Sequence, residues 1–498
     1  MDICATPDRA DALGYSQRVT PDAPTGTWIE SDVPSRLDAL GWSAWHRRVI
    51  LALGITWILD GLEASLISNL GPTIEKTTSW TNAEVGASNT AYLIGEVAGA
   101  LVFGRLTDQL GRKKLFLVTL ALYLVSTALS GLAPWYALFV PLRFFAGAGI
   151  GGEYSAINSA IDELVPARIR GRVDLAINGS YWIGVGFGAL LTVGFLHASF
   201  MPAHIAWRAA FGLGAILGIA ILLVRRNVPE SPRWLLMHGH TAEASRTVAL
   251  IEEEIRASGV PIAEGIAQVR VHVSGSVSLR YLAHVLLRVF PRRTVLGISL
   301  LLAQAFLYNS IFFSYGMILT KFHGVDADDV GLFMLPFAAG NFLGPLLLGR
   351  YFDHWGRRVM IPATYALSGV LLLATGGLFW AGMLDATTQT IAWSIVFFFA
   401  SAAASSAYLT VSELFPVEIR GMAIATFFAF ATLVGSGAPT LFGKIVDTGS
   451  PAQLFAGYAL AAGLMLGAAV IARWLGVAAE GKSLEALAAG HHEQARGQ

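Results

Sequence analysis

Two stretches of the chain decide its fold, GRLTDQLGRKK at residues 104–114 and GRYFDHWGRR at residues 349–358. The second repeats the first with glycine, aspartate and arginine at matching places. ELVPARIRG at 163–171 is followed in the same way by ELFPVEIRG at 413–421. Because two motifs recur at nearly the same offset, the sequence predicts a chain built from two equivalent halves.

The composition around these motifs is that of a membrane protein. Of 498 residues, 54% are hydrophobic and 14% charged, and the mean hydropathy is +0.58. A soluble protein of this size needs more polar surface, whereas lipid accepts an apolar exterior. The formal net charge is zero, which gives no basic field for nucleic acid.

Apolar stretches long enough to cross a bilayer, which takes about 20 residues, occur twelve times. They lie near residues 48–70, 84–105, 115–133, 137–160, 173–197, 206–224, 294–318, 330–348, 359–382, 391–411, 422–444 and 453–474. Between the sixth and seventh stretches lies a polar segment with ten arginines, in which Thr241–Arg256 reads as an amphipathic surface helix. The sequence therefore predicts an all-α membrane protein with twelve transmembrane helices in two six-helix halves.

Basic residues alternate between the short loops and so predict the orientation. Loops after even-numbered spans hold eleven: Arg105, Arg112, Lys113, Lys114, Arg168, Arg170, Arg172, Arg350, Arg357, Arg358 and Arg420. Loops after odd-numbered spans hold four: Lys76, Arg208, Lys321 and Lys444. We expect the even loops and both termini in the cytoplasm, and the chain in the cell (inner or plasma) membrane.

The predicted organisation has five parts. They are a cytoplasmic N-terminal tail (1–45), a first six-helix half (46–224), a cytoplasmic central segment (225–293), a second six-helix half (294–475) and a cytoplasmic tail (476–498). The first part lacks the apolar stretch of a cleavable signal peptide, so we expect insertion to depend on the first span.

The repeated motifs resemble those of the major facilitator superfamily, and the resemblance covers roughly residues 45–485. PESPRWL at 229–235 and RFFAGAGIGG at 143–152 are similar to motifs of its sugar-porter group. EGKSLE at 480–485 resembles the tail signature of that group, although Val477, Ala478 and Ala479 replace its first three residues. The resemblance implies two parallel halves around a substrate site at the membrane midplane.

Charges in the repeated motifs are candidate gating residues. The predicted pairs are Asp108 with Arg112, Glu163 with Arg170, Asp353 with Arg357, and Glu413 with Arg420, and Glu153 is a further candidate at the inner gate. Such pairs would hold the halves together when the cytoplasmic side is shut. The alternative is a set of solvated loop charges, each contributing up to about 1 kcal/mol.

Ionisable residues inside a span are costly and usually functional. The first half contains Asp60, Glu63, Glu96, Arg143 and Glu153, while the second half has none near the middle of a span. At about 1.5 Å per residue, Asp60 and Arg143 come out at similar depth. In proton-coupled sugar porters an aspartate of the first span faces an arginine of the fourth. The resemblance therefore implies that Asp60 carries a proton beside Arg143, with Glu63 one turn away.

A permanent structural ion pair in a uniporter is the alternative to that coupling role. Glu63 could bind substrate or tune Asp60, and the pattern gives Glu96 no partner.

Polar residues at matching places indicate a solute site. Asn178, Gln304, Asn309 and Asn341 occupy amide positions of the sugar porters, where amides can donate and accept hydrogen bonds. Packing between helices is the alternative for each amide. Tyr154, Tyr181, Trp182, Tyr308 and Phe312 could add an aromatic wall, or could be core. In span ten, SSAYLTVSELFP lacks the Gly-Pro of sugar porters and places Tyr408 where they have tryptophan, which favours organic-ion or aromatic-acid relatives.

The sequence thus predicts a proton-coupled symporter of a small organic solute, either sugar-like or an organic acid. A facilitator or a proton-driven exporter of an organic ion is the alternative within transport, and a nutrient-sensing receptor is a weaker one. The sequence shows no nucleophile–base pair, metal cluster or phosphate loop, so we expect neither an enzyme nor a cofactor. The expected partners are the solute, protons and the lipid bilayer, with the chain acting as a monomer.

Overall fold

The computed structural model describes residues 26–164, 167–198, 201–225, 230–262, 268–274, 278–415 and 417–476. Six long helices form the first half, each covering one predicted span to within one residue, and a short strand and helix precede them. The elements are β1 (Gly26–Ser31), α1 (Val33–Asp38), α2 (Ala44–Thr78), α3 (Asn82–Leu110), α4 (Arg112–Leu132), α5 (Tyr136–Leu164), α6 (Ala167–Leu196) and α7 (Ala203–Arg225).

Short elements make up the central segment. They are α8 (Pro232–Met237), α9 (Thr241–Ala257), β2 (Val269–Ser274), α10 (Leu279–His284) and a π-helical turn (Val285–Val289). The amphipathic helix expected at Thr241–Arg256 is α9, whose apolar face is buried.

The helices of the second half again cover the six predicted spans, with at most two residues of a span outside its helix. Its helices are α11 (Pro291–Phe312), α12 (Tyr315–His323), α13 (Val330–His354), α14 (Arg357–Trp380), α15 (Ala386–Leu414), α16 (Val417–Gly435), α17 (Gly437–Thr448) and α18 (Pro451–Leu475). Spans seven and eleven are each broken into two helices. Nine helical stretches of the described residues are long and apolar enough to cross a membrane, and one of them, Met422–Thr448, combines α16 and α17. Helices α3 and α5, which carry Glu96, Arg143 and Glu153, are not among the nine.

Glycines let two pairs of helices in the first half approach closely. A Cβ atom on Gly147 or Gly151 of α5 would clash with the backbone carbonyl of Tyr92 or Glu96 on α3. In the same way, Gly61 of α2 lies against the carbonyl of Tyr181 on α6. Such backbone contact between small residues is a main source of helix association in lipid. It fixes the rotation of α2, α3 and α5, and therefore the direction of their polar side chains.

The two halves contact one another at the ends of the helices that the basic loops predict to face outward, called the outer ends below. Helix α2 lies against α12, α3 against α17, and α6 against α13. Gly86 of α3 contacts Pro439 of α17, and Gly331 of α13 contacts Ala189 of α6. The structure is therefore closed between these three pairs of helices on its outer side.

The break between α11 and α12 also joins the halves. At Phe312, near the end of α11, the backbone carbonyl accepts a hydrogen bond from the hydroxyl of Ser68 on α2. A helix break frees backbone groups that must find other partners inside a membrane. Here the partner comes from the opposite half of the molecule.

A small unit packs against the first half, where the sequence alone indicated an N-terminal tail and a surface helix. Strands β1 and β2 pair antiparallel, Gly26 opposite Ser274. Arg36 of α1 donates two hydrogen bonds to Glu252 of α9, at 2.8 and 2.9 Å, and this partner raises the pKa of Arg36. Val33, Leu37, Trp45, Phe116 and Val248 share one apolar core, which connects α1 and α9 to α2 and α4.

Candidate functional site

A buried ion pair lies inside the first half. The Nη1 atom of Arg143 on α5 donates to Oε1 of Glu63 on α2, and neither side chain has any exposed surface. The guanidinium also lies 4.6 Å from the ring centre of Tyr92 and 5.6 Å from that of Phe211. A buried charge is tolerated only when it is paired, and aromatic faces add further attraction to a cation.

Two more carboxylic side chains lie beside this pair. The hydroxyl of Tyr92 donates to Oδ1 of Asp60 at 3.0 Å, and Asp60 is buried. Glu96, one turn further along α3, is also buried and lies near enough to Asp60 for their charges to interact. The hydroxyl of Tyr123 on α4 approaches Oε2 of Glu63 at 3.4 Å.

The electrostatic balance of this cluster is unusual for a membrane interior. Among the described residues of this cluster, the three carboxyl groups of Asp60, Glu63 and Glu96 lie near one guanidinium, and only that of Glu63 is bonded to it. The ion pair with Glu63 balances the charge of Arg143. A carboxylate is disfavoured at low dielectric unless it is paired or hydrogen-bonded, so several buried acids at one place mark a candidate functional cluster.

Sequence reasoning found the depth of these residues but named a different partner for Arg143. The family pattern assigned Arg143 to Asp60, whereas the structure shows the arginine paired with Glu63. It also missed Tyr92 and Tyr123, which donate to the two acids of α2. The one available signal was the spacing of Tyr92 and Glu96, which at i and i+4 share a helix face.

Amide side chains of the second half form a separate polar region. The hydroxyl of Tyr308 on α11 donates to Oδ1 of Asn341 on α13 at 2.6 Å, and Nδ2 of Asn341 donates to the backbone carbonyl of Phe337 at 3.0 Å. Gln304 and Asn309 of α11 are buried with exposures of 6% and 9%. The structure thus joins Tyr308 and Asn341, two of the sequence-predicted solute residues.

Aromatic rings connect this polar region to the first half. Trp182 of α6 lies within 6.0 Å, between ring centres, of Tyr308, Phe312 and Phe337 in the second half. Tyr181 packs edge-on against Trp182. The hydroxyl of Tyr181 is close enough to Asp60 and Glu96 to interact electrostatically with both carboxyl groups. Trp182 is half-buried, whereas Phe312 and Phe337 are buried. The rings therefore form a wall at the boundary between the halves, next to the acid cluster.

Several predicted residues lie where the structure does not describe side chains. They are Asn178 and Tyr408 of the solute set, Tyr154 of the aromatic set, and the gating residues Asp108, Arg112, Glu163, Arg170, Asp353, Glu413 and Arg420. Of the remaining gating candidates, Glu153 is fully buried in α5 and Arg357 is half-buried at the first position of α14. The gating pairs stay predictions.

Two packed halves, broken helices and a polar region between them define a secondary membrane transporter of the major facilitator superfamily, a class that is not enzymatic. The chain belongs to the family described as "Sugar (and other) transporter", whose profile matches residues 61–490.

Similar proteins transport small metabolites. The niacin transporter NiaP of Acinetobacter baylyi is 27% identical over 458 residues, which cover 92% of this chain and 99% of the relative. Myo-inositol transporter 2 of Schizosaccharomyces pombe is 27% identical over 440 residues, covering 84% and 77%. Among solved structures, a partially occluded inward-open form of the xylose transporter XylE of E. coli superposes with a TM-score of 0.68 at 19% identity. That match covers 87% of this chain and all of XylE, and it supports the fold.

Proposed function

We propose that this protein is a proton-coupled symporter of a small organic solute. The observation that carries the proposal is the buried cluster in which Asp60 and Glu96 lie beside the Arg143–Glu63 pair. A permanent structural pair would need only one acid. The additional carboxyl groups give the protein a place to hold a proton while the site is closed to water.

The proton step follows from the environment of Asp60. In this proposal Asp60 takes up the proton while the cluster is closed, because a neutral acid is accommodated at low dielectric more easily than a carboxylate. When one side opens and water enters, the carboxylate becomes soluble and the proton can leave. Since Tyr92 donates to Asp60 and Tyr181 lies between the acids and Trp182, solute bound at the aromatic wall can change the surroundings of Asp60. Binding of solute and proton would thereby be linked.

The wall and the amides favour a small cyclic solute. Trp182, Phe312 and Phe337 offer flat apolar faces, and ring stacking contributes about 0.5–1.5 kcal/mol per contact. Tyr308 and Asn341 offer donors and acceptors to a carboxylate, an amide or hydroxyl groups. Niacin and myo-inositol, named for the two relatives, are both ring compounds. We favour an aromatic or heterocyclic acid over a sugar, because aromatic rings dominate the wall.

A facilitator is the second candidate, and the full burial of the Arg143–Glu63 pair favours it. Two fully buried, directly paired side chains are also what a purely structural ion pair would show. In that case the pair would stay intact throughout transport and the solute would flow only down its gradient.

Purified protein in proteoliposomes separates the two candidates. A thermal-shift screen with nicotinate, benzoate, myo-inositol, xylose and a quaternary amine first identifies a stabilising ligand, since a ligand stabilises the state it binds. Uptake of that ligand is then measured with and without an imposed pH gradient. Symport predicts accumulation driven by the gradient, whereas flux that only equilibrates and ignores the gradient would establish the facilitator.

Asp60→Asn tests the proposed carrier in the same assay. The variant mimics the protonated acid, so it should lose gradient-driven accumulation and keep counterflow exchange of labelled solute. Glu96→Gln is the matched variant on α3. If Asp60→Asn still accumulates solute and Glu96→Gln does not, the proton is carried by Glu96.

The orientation is part of the proposal. The basic loops support cytoplasmic placement of both termini and of the central segment. A reporter fused after Arg293 or Gln498 should read cytoplasmic, and one near Ala198 external. An external reading at Gln498 would contradict the even number of spans.

A further inference from the structure

At the outer ends, one half of the protein caps a helix of the other. Helix α3 begins at Asn82, where the first backbone N–H groups of a helix lack partners within it. Asp447, near the end of α17 in the second half, supplies acceptors for two of them. Its Oδ1 accepts from the backbone N–H of Asn82 at 3.1 Å, and its Oδ2 accepts from that of Ala83 at 2.9 Å.

The side chain of Asn82 ties the same carboxylate to the first half. Its Nδ2 donates to Oδ1 of Asp447 and to Oε1 of Glu75, at 2.9 Å each. Asn82 is 2% exposed, although Asp447 itself is exposed. A carboxylate at a helix N-terminus is stabilised by the hydrogen bonds and by the helix dipole together. The two backbone N–H groups and the side-chain amide of Asn82, all in the first half, therefore donate to one carboxylate of the second half, that of Asp447.

Below Asp447, α3 and α17 remain in direct contact. Gly443 of α17 lies against the backbone carbonyl of Asn82, and Gly86 of α3 lies against that of Pro439. One helical turn deeper, the hydroxyl of Thr90 donates to the carbonyl of Ser436 at 2.6 Å and lies 2.7 Å from Oγ1 of Thr440. The Asp447 contact is thus available only while α3 and α17 are together.

A second acid caps the same helix from within its own half. Oε2 of Glu84 accepts from the backbone N–H of Thr81 at 2.8 Å, and the hydroxyl of Thr81 accepts from the N–H of Glu84 at 3.2 Å. This cap stays in place wherever the second half moves. Glu84 therefore caps α3 from within the first half, whereas Asp447 caps it from the second half.

From these contacts we propose that Asp447 is the positioning residue of the outward-closed state, capping α3 across the two halves. When the outer side opens, α3 loses this cap and keeps that of Glu84. The inference rests on the alternating-access transport proposed above. It assigns to Asp447 a role in the balance between conformations, with no contact to the solute.

Distances between spin labels on the two halves test the proposal directly. Labels are placed at Leu132→Cys in the first half and Met383→Cys in the second, both strongly exposed at outer ends, in a Cys4→Ser background. In lipid nanodiscs, Asp447→Ala should shift the ratio of long to short distances roughly fivefold toward long ones, the effect expected for a lost cap. Asp447→Asn keeps one acceptor and should give a smaller shift. Glu84→Ala should leave the distances unchanged.

A wedge variant separates failure of this inference from failure of the transport proposal. Gly86→Trp forces α3 away from α17 and should lengthen the distances whatever Asp447 does. If Gly86→Trp lengthens them and Asp447→Ala does not, the positioning role is refuted while alternating access stands. If no variant changes the distances, alternating access itself is refuted.

Transport kinetics give a readout that loss of folded protein would not reproduce. An outer side that opens more readily should lower KM for external solute and lower kcat for uptake in Asp447→Ala. If kcat/KM falls only in proportion to the amount of folded protein, and KM is unchanged, the positioning role is refuted.

Discussion

The two halves share a fold and bury different chemistry. Among the described residues of the membrane helices, the buried charged side chains Asp60, Glu63, Glu96, Arg143 and Glu153 all belong to the first half. The second half buries amides and rings, with Gln304, Asn309 and Asn341 near Tyr308 and Phe337. Duplicated halves that diverge in this way can divide a task between them. We infer that the first half handles the proton and the second handles much of the solute.

The largest effect should come from removing the cation of the first half. Arg143→Ala leaves Glu63 buried without its partner, which typically costs about 3–5 kcal/mol of folding free energy. We expect a marked loss of folded protein and of transport, measured by thermal unfolding in detergent and by uptake. Changing both partners, with Arg143→Met and Glu63→Leu, should restore much of the stability and no gradient-driven accumulation. If the double variant is as unstable as Arg143→Ala, then the shape of the site, and not its charge, determines the stability.

Two tryptophans allow a residue that contacts the solute to be distinguished from one that only packs in the core. Trp182 is half-buried at the boundary of the halves, and Trp393 is fully buried in α15 against Tyr315. Trp182→Ala should raise KM roughly tenfold by removing a stacking face, with little change in thermal stability. Trp393→Ala should lower the free energy of unfolding by about 3–5 kcal/mol and leave KM of the surviving protein unchanged. Identical behaviour of the two variants would remove the aromatic wall from the solute site.

The repeated motifs at residues 104–114 and 349–358 offer a direct comparison of the halves. Asp108→Asn and Asp353→Asn change the equivalent acid in each half. If the gating pairs act symmetrically, each variant should slow net transport roughly fivefold while the protein still inserts, the effect of losing an ion pair of about 1 kcal/mol. Arg170→Ala should behave similarly. Wild-type rates in all three would identify these residues as solvated loop charges.

The smallest expected effect is at the hydroxyl of Tyr308. Tyr308→Phe removes the donor to Asn341 and keeps the ring in the wall. A single neutral hydrogen bond suggests a change in KM of about threefold. Tyr315→Phe is the matched control, because its hydroxyl donates to the carbonyl of Phe333 at 2.7 Å and to Oγ1 of Thr390 at 3.2 Å, and not to Asn341. An equal effect on KM from both would assign the change to helix packing.

The sequence alone predicts the fold well because its signals are local. A span needs only a run of apolar residues, so every predicted span matches one helix or one broken pair, with at most two residues outside it. The pairing of β1 with β2 could not be predicted, since residues about 240 positions apart carry no local sign of contact. The same holds for α1, which is stabilised by α9 and not by its own six residues.

The depth of a residue in the membrane did not predict which acid pairs with Arg143. A rise of about 1.5 Å per residue places Asp60, Glu63 and Arg143 at comparable levels but says nothing about rotation of the helix. That rotation is set by Gly61 packing on the backbone of α6. It directs Glu63 toward α5 and Asp60 toward Tyr92 on α3. Glycine contacts of this kind depend on the partner helix, which periodicity does not reveal.

The hydrogen bond from Ser68 to the carbonyl of Phe312 makes that single peptide group a built-in spectroscopic probe. The donor lies in one half and the acceptor in the other, at the break between α11 and α12. Any motion that separates α2 from α12 must exchange the serine hydroxyl for water at this carbonyl. An isotope label on the carbonyl carbon of Phe312 would therefore report the outer opening as a vibrational frequency shift, with no dye or spin label attached.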